Sequence, residues 1–301
     1  MNMKVDLCGV TLNNPVMTAS GTFGSGAEYA EFVDLNKLGA VVTKGVANVP
    51  WPGNPTPRVA EVYGGMLNAV GLQNPGIDLF IQRDIPFLKK YDTKIMVNVC
   101  GHSTEEYIEV VERLRDQPVD LLEINISCPN VKEGGIAFGQ DPKAVEAITK
   151  EMKKHAAQPV IMKLSPNVTD ITEMARAAEA GGADGLSLIN TITGMKIDIH
   201  RQKFVLANKT GGMSGPAIHP VAVRMVYQTA QAVKLPIVGM GGIMNAEDAI
   251  EMILAGATAV SVGTANFTNP HVTEEIVDGI RAYMEKYHVT DMKELIGAVH
   301  E

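Results

Sequence analysis

Several residues that can donate hydrogen bonds or carry positive charge stand at the ends of short β-rich runs. They are Ser20, Lys44, Asn98, Asn125, Cys128, Lys163 and Asn190. The set holds two lysines and no acid. Two ammonium groups in one site are costly unless an anion lies nearby, since an anion about 4 Å away returns about 4 kcal/mol at an effective dielectric of about 20. The pattern therefore predicts a site for a ligand that is anionic or becomes anionic during a reaction.

One acid complicates this pattern. Glu123 lies two residues before Asn125 in the same predicted strand. Both side chains should therefore point to the same side of that strand, about 7 Å apart. We expect Glu123 to lie deeper than Asn125 and to pair with a buried lysine or amide.

Glycines end the last two predicted strands. The pair Gly241-Gly242 precedes Asn245, which begins a predicted helix, and Gly263-Thr264 precedes another helical segment. Backbone N–H groups at such places form the usual phosphate site of a barrel. A dinucleotide fingerprint beginning at Gly239 would need glycine at Met244. The sequence therefore favours a phosphate site of the mononucleotide type.

The elements that must position these residues alternate along the whole chain. The predicted strands are residues 15–19, 40–44, 94–99, 121–127, 159–164, 185–190, 236–240 and 259–263. The predicted helices are residues 104–115, 141–155, 169–180, 219–233, 246–255 and 272–287. We expect N-caps at Ser103, Asp141, Thr169 and Asn245, and left-handed C-caps at the pairs Ala180-Gly181 and Ala255-Gly256.

Eight strands alternating with helices predict an α/β fold, a closed (β/α)₈ TIM barrel formed by residues 1–301 as a single domain. A doubly wound sheet is the alternative. Two long insertions, residues 45–75 and 191–215, follow the second and sixth strands. Both should lie at the C-terminal mouth of the barrel, where barrel enzymes have their active sites.

Composition excludes several classes of function. The 301 residues include 26 Lys+Arg and 34 Asp+Glu, a net charge of −8, and only 5% are aromatic. Neither value is typical of a nucleic-acid binder. No run approaches the roughly 18 apolar residues of a membrane span, and no secretory signal is expected at the start. The three cysteines and seven histidines show no spacing typical of disulfides or metal ligands, so we expect a cytoplasmic protein without a metal site.

Residues 125–130 (NISCPN) resemble the catalytic loop of class 1 dihydroorotate dehydrogenases. Nine further motifs agree with that family in order and spacing. They are residues 19–24 (ASGTFG), 43–45 (TKG), 53–58 (GNPTPR), 66–75 (MLNAVGLQNP), 163–166 (KLSP), 189–191 (INT), 210–215 (TGGMSG), 239–242 (GMGG) and 263–267 (GTANF). Residues 138–142 (FGQDP) and the TGGMSGP segment favour the catalytic subunit of class 1B.

The resemblance implies that the chain binds FMN at the barrel mouth and oxidises (S)-dihydroorotate to orotate in pyrimidine synthesis. It assigns FMN binding to Ser20, Lys44, Gly45, Asn98, Asn125, Lys163, Ile189, Gly215, Gly241, Gly242, Gly263 and Thr264. It assigns substrate binding to Lys44, Asn68, Ala69, Val70, Gly71, Leu72, Asn125, Asn190 and Thr191, with Asn130 as a further candidate. Lysines suit these ligands, because the substrate carries a carboxylate and the reduced flavin is anionic.

By the same resemblance, Cys128 is the general base that removes the proton from C5 of the substrate. Pro129 favours an extended backbone at Cys128 and prevents a helix from starting there. The thiol is therefore expected in a loop beyond the strand. A free thiol with a pKa near 8.5 is only a few per cent ionised at pH 7, so the rate should rise into alkaline pH.

Class 1B enzymes pass electrons to NAD⁺ through a second subunit that carries FAD and a 2Fe–2S cluster. This chain has neither the cysteine spacing nor the dinucleotide fingerprint for those groups, so the resemblance implies a homodimer associated with such a subunit in a heterotetramer. The open alternatives are a class 1A homodimer that uses fumarate, a dihydropyrimidine-type dehydrogenase domain, and a non-catalytic barrel that binds FMN or another phosphate ligand.

Overall fold

The computed structural model describes residues 1–126 and 138–300. Its strands are β1 (Val5–Leu7), β2 (Val10–Leu12), β3 (Val16–Thr18), β4 (Ala40–Val42), β5 (Val59–Val62), β6 (Gly65–Asn68), β7 (Lys94–Val99), β8 (Leu121–Asn125), β9 (Val160–Lys163), β10 (Gly185–Leu188), β11 (Ile192–Met195), β12 (Ile197–Asp198), β13 (Lys203–Phe204), β14 (Thr210–Ser214), β15 (Ile237–Met240) and β16 (Ala259–Val262). Ser127 and Cys128, at the end of the fourth predicted strand, lie outside the described residues.

Eight parallel strands form a closed barrel in the order β3-β4-β7-β8-β9-β10-β15-β16, and β16 pairs with β3. The predicted (β/α)₈ barrel is therefore confirmed, and the doubly wound alternative is wrong. Each of the eight corresponds to one predicted strand, although several are shorter by one or two residues at an end. The reason is that the chain leaves the hydrogen-bonded ladder where it turns into a loop, while the apolar pattern continues.

The helices are α1 (Ile77–Leu79), α2 (Ile85–Leu88), α3 (Thr104–Leu114), α4 (Pro142–His155), α5 (Ile171–Ala180), α6 (His219–Ala232), α7 (Ala246–Leu254), α8 (Ala265–Thr268) and α9 (Val272–Lys286). The side chains of Ser103, Asp141 and Asn245 accept from backbone N–H groups of the first turns of α3, α4 and α7, which confirms these predicted caps. No helix in the described part of the chain is long and apolar enough to cross a bilayer.

Two predicted caps are wrong by one residue. Asp170, not Thr169, caps α5, because its carboxylate accepts from the Thr172 N–H at 2.8 Å. At the other end of α5, Gly181 keeps a right-handed φ of −72° and Gly182 has the left-handed φ of +88°. The prediction for α7 is confirmed, because Gly256 has a φ of +123°.

The two insertions form one sheet. Strands β5 and β6 come from the first insertion, β11 and β14 from the second, and the four pair antiparallel in the order β11-β14-β6-β5. The sheet is joined to the barrel mouth by a hydrogen bond of 2.7 Å from the Thr264 hydroxyl to that of Ser214. Both insertions therefore lie at the C-terminal mouth, as predicted.

The β1–β2 hairpin lies against the start of a barrel strand. A Cβ atom at Gly185, the first residue of β10, would lie 2.7 Å from the Cys8 sulfur. Burial, reinforced by the nearby carboxylates of Asp184 and Asp6, raises the pKa of Cys8 to about 12. Cys8 is therefore protonated, and inert as a nucleophile, at neutral pH.

The close packing after α7 gives a stability test. A Cβ atom at Gly256, where φ is +123°, would lie 2.4 Å from the Cβ of Ala230. A Cβ atom at Gly9, where φ is +83°, would meet nothing within 4 Å. We expect Gly256→Ala to lower the free energy of unfolding by roughly 2–4 kcal/mol, from backbone strain plus overpacking. Gly9→Ala should cost about 1–2 kcal/mol, from strain alone. Urea denaturation checks this, and equal losses would contradict it.

Candidate active site

The parallel register brings polar side chains of neighbouring strands together inside the barrel. Asn98 of β7 is paired with Glu123 of β8, and Asn125 of β8 with Lys163 of β9. Lys163 is in turn paired with Ser187 of β10. Residues that are paired across parallel strands face the same side of the sheet. Five polar side chains from four strands therefore face the barrel interior.

A buried carboxylate joins these residues. Glu123 accepts from the Asn98 amide at 2.5 Å and from the Ser187 hydroxyl at 2.7 Å, and one of its oxygens lies 3.6 Å from the Lys163 ammonium. The side chains of Glu123 and Lys163 are only 1% and 5% exposed. The expectation that Glu123 pairs with a buried lysine or amide is therefore confirmed, because it pairs with both.

Asn125 lies next to this network, two residues closer than Glu123 to the carboxyl end of β8. Its amide nitrogen donates to the side-chain oxygen of Asn98 at 3.3 Å. Its backbone carbonyl accepts from the hydroxyl of Tyr107, a fully buried residue of α3, at 2.7 Å. These two contacts fix the end of β8, the point at which the chain enters residues 127–137.

A cavity of about 570 Å³ lies at the carboxyl ends of the barrel strands, beneath the sheet of the two insertions. This volume is within the range of about 300–1,000 Å³ that is typical of small-molecule and cofactor sites. Lys44 and Lys163 are the only charged residues among the described residues that line it. Glu123 does not line it, so the described lining carries two lysines and no acid.

Most of the residues that the sequence assigns to binding line this one cavity. They are Ser20, Lys44, Asn68, Ala69, Val70, Gly71, Leu72, Asn125, Lys163, Ile189, Asn190, Thr191, Gly241, Gly242, Gly263 and Thr264. They come from the ends of seven barrel strands and from both insertions. What each of them binds stays a prediction, but the fold brings them together.

Three assigned residues lie behind the lining. Asn98 is fully buried and supports Glu123 and Asn125. A Cβ atom at Gly45 would lie 3.0 Å from the Asn98 side chain, and one at Gly215 would lie 2.6 Å from the Cα of Gly65. These two glycines allow the chain to pack closely around the cavity.

Cys128 and Asn130 lie outside the described residues, so their predicted roles stay predictions. Asn125, at the end of β8, lines the cavity three residues before Cys128.

Several lining residues escaped the sequence analysis. Val59, Thr193, Asn208, Ser214 and Ser261 line the cavity without being assigned to it. The first four belong to the insertions, whose mutual pairing has no local signal in the sequence. Ser261 could have been found, because it lies two residues before Gly263 and so faces the same side of its strand. Its hydroxyl is buried and has no hydrogen-bond partner among the described residues.

The glycine ends of the last two barrel strands have the backbone expected of a ligand-binding turn. Gly241 and Gly242 have φ angles of +129° and +70°. Thr264 directly precedes the short helix α8, which the sequence analysis did not predict, whereas the predicted helix 272–287 is present as α9. A short extra helix after the eighth strand is typical of barrel phosphate sites.

The closed barrel has a cavity at the carboxyl ends of its strands, and the described lining of that cavity is rich in donors and holds no acid. These features are typical of a barrel enzyme site for an anionic small molecule. The comparison with protein families agrees with this class. Residues 2–284 match the family model of dihydroorotate dehydrogenase. The chain belongs to the dihydroorotate dehydrogenase family.

Curated relatives cover the whole chain. It is 70% identical to the dihydroorotate dehydrogenase B (NAD(+)) catalytic subunit of Lachnoclostridium phytofermentans, over 99% of this chain and 100% of that protein. It is 66% identical to the subunit of the same name from Alkaliphilus metalliredigens, over 99% of each chain. For Caldicellulosiruptor bescii the identity is 53% over 100% of both chains.

The buried ion pair gives a test of the site's construction. Glu123→Gln keeps the shape of the side chain but leaves the buried Lys163 ammonium without its counter-charge. We expect a loss of about 3–5 kcal/mol in the free energy of unfolding. The double variant Glu123→Gln/Lys163→Met removes both charges and should recover part of that loss. Urea denaturation of the three proteins measures this, and a double variant less stable than Glu123→Gln would contradict it.

Proposed function

We propose that this chain is the catalytic subunit of an NAD⁺-linked dihydroorotate dehydrogenase, which oxidises (S)-dihydroorotate to orotate in pyrimidine biosynthesis. The observation that carries the proposal is the cavity in which Lys44 and Lys163 are the only charged described residues. Such a cavity suits a substrate with a carboxylate. The full-length relatives named for this activity support the same conclusion.

The residues that line the cavity fit FMN. Apolar side chains, among them Ile189, Met240 and Phe267, suit a flat ring system, and the turn at Gly241 and Gly242 suits a phosphate. The buried Ser261 hydroxyl adds a donor that no described protein group uses. The chemistry that FMN would supply when bound is acceptance of the hydride from C6 of dihydroorotate.

The residues assigned to the cofactor divide by their chemistry. Lys163 and Lys44 would stabilise negative charge on it, and Asn125 would donate a hydrogen bond. Ser20, Ile189, Gly241, Gly242, Gly263 and Thr264 would hold it at the cavity, while Gly45, Asn98 and Gly215 would act from behind the lining or through their backbone.

The substrate would lie between the barrel mouth and the first insertion. Lys44 would pair with its carboxylate, while Asn68, Asn125 and Asn190 would hydrogen-bond to its polar ring atoms. Residues 69–72 follow β6 and line the same cavity, so their backbone would complete the pocket, with Thr191 beside Asn190.

An anaerobic titration tests the activity directly. Purified protein is mixed with increasing dihydroorotate while the flavin absorbance is recorded. We expect stoichiometric bleaching of the flavin and formation of orotate. Dihydrouracil should not bleach it, because it lacks the carboxylate that Lys44 would bind. Bleaching by dihydrouracil alone would favour a dihydropyrimidine dehydrogenase, and a flavin that neither compound bleaches would favour a non-catalytic barrel.

Cys128 is proposed as the general base, taking the proton from C5 while the hydride leaves C6. Cys128→Ala should lower turnover by about 10²–10⁴-fold, the usual contribution of a positioned base, while the flavin stays bound. Cys8→Ala is the matched control, because the Cys8 thiol is half-buried beside β10 and has a raised pKa of about 12, and it should keep full turnover. Steady-state kinetics with dihydroorotate measure both variants, and near-native turnover of Cys128→Ala would remove Cys128 from the mechanism.

The same role predicts a dependence on pH. A base with the ordinary thiol pKa near 8.5 is active only as the thiolate. The rate of flavin reduction should therefore rise about tenfold between pH 6.5 and 7.5 and level off above pH 8.5. Stopped-flow reduction across this range measures the profile, and a flat profile would contradict a free thiol as the base.

Electrons must leave the site, and we propose that they reach NAD⁺ through a second subunit that carries FAD and a 2Fe–2S cluster. The catalytic chains would form a homodimer within a heterotetramer. The isolated chain should therefore reduce its flavin with dihydroorotate but not reduce NAD⁺ rapidly, as followed at 340 nm. Rapid NAD⁺ reduction without another protein would contradict this, and turnover with fumarate alone would select the class 1A reaction.

A further inference from the structure

A buried histidine supports the glycine turn from behind. His219 is the first residue of α6, and its side chain is 9% exposed. Its Nδ1 lies 2.8 Å from the carbonyl oxygen of Gly241, and its Nε2 lies 3.1 Å from a carboxylate oxygen of Glu251. His219 does not line the cavity, and no step of the proposed reaction uses it.

The contact with Gly241 fixes the direction of a peptide plane. A carbonyl oxygen can only accept, so the hydrogen is on Nδ1 of His219. In a trans peptide the C=O of one residue and the N–H of the next point in opposite directions. Because the Gly241 carbonyl points at the ring, the Gly242 N–H points away from it. Gly242 itself lines the cavity.

This N–H is available to a ligand. No group in the described part of the chain accepts a hydrogen bond from the Gly242 N–H. An unpaired backbone donor in a partly buried turn is costly unless something accepts from it.

The turn depends on support from outside itself. Both of its glycines have positive φ angles. Glycine adopts positive φ about as readily as negative φ, so the two glycines do not fix this conformation by themselves. A Cβ atom at Gly242 would lie 2.8 Å from the Cβ of His219, so the turn rests directly on this residue. The Asp248 carboxylate of α7 accepts from the Met244 N–H at 2.8 Å, and its other oxygen lies 4.0 Å from Nε2 of His219. A carboxylate oxygen of Glu251, also in α7, lies 3.1 Å from the same ring nitrogen, Nε2.

We propose that His219 is a positioning residue for phosphate binding. By holding the Gly241 carbonyl, it presents the Gly242 N–H to the phosphate group of the cofactor. The inference rests on the proposed function, because it takes FMN as the ligand of this turn.

Two isosteric amides separate the contacts of the histidine. In His219→Asn the side-chain NH₂ can take the place of Nδ1 and still donate to Gly241, while the contact with Glu251 is lost. In His219→Gln the longer amide can reach Glu251 but no longer donates to Gly241. Both variants keep a polar side chain of similar size, so each serves as the control for the other.

The readout is the ratio of affinities for FMN and riboflavin, which lacks the phosphate. Both are measured by quenching of flavin fluorescence on titration of the apoprotein. We expect His219→Gln to weaken FMN binding roughly tenfold or more, as for the loss of a hydrogen bond to a charged group, and to leave riboflavin binding unchanged. We expect His219→Asn to keep the wild-type ratio.

The outcomes distinguish this inference from the proposed function. If the wild-type protein binds FMN and His219→Gln keeps its FMN-to-riboflavin ratio, the role of His219 is wrong and the proposed function stands. Equal weakening of both flavins would likewise show a merely structural role. If the wild-type protein binds riboflavin as tightly as FMN, or binds neither flavin, the predicted phosphate site is wrong, and the inference about His219 fails with it.

Discussion

The ion pair between Glu123 and Lys163 is the interaction on which the site depends. A carboxylate buried at the centre of a barrel costs several kcal/mol unless charge and hydrogen bonds compensate it. Lys163 of β9 supplies the opposite charge to Glu123. Asn98 of β7 and Ser187 of β10 donate hydrogen bonds to it. The pairing register of four strands is thereby tied to one charged group, since a slip of one residue would turn its partners out of the interior.

The same pair explains how an acidic protein has a positive cavity. The whole chain carries a net charge of −8, yet the described lining of the cavity holds two lysines and no acid. Glu123 lies below the lining, where it holds Lys163 in place without presenting its own charge to a ligand. The charge that the cavity presents to a ligand therefore depends on how deep each charged side chain lies within the barrel. The net charge of the whole chain does not predict it.

The mouth is completed by segments that are distant in sequence. The two insertions form one antiparallel sheet, and the Thr264–Ser214 hydrogen bond joins that sheet to the end of the eighth barrel strand. The glycine turn after the seventh strand is held by His219 from one helix and by Asp248 from the next. The described walls of the cavity are thus supplied by packed elements that are far apart in the sequence.

The sequence by itself determined the eight alternating strands and helices, the strand-end residues and the depth of Glu123, because these follow from local periodicity and from the alternation of side chains along a strand. The exact capping residues were predicted less well. Thr169 and Gly181 were each wrong by one residue, because a cap depends on which residue leaves the helical backbone. Only the tertiary structure decided that the two insertions pair and that Asn98 lies behind the lining of the cavity. Those facts depend on contacts between residues far apart in the chain, for which a single sequence carries no local signal.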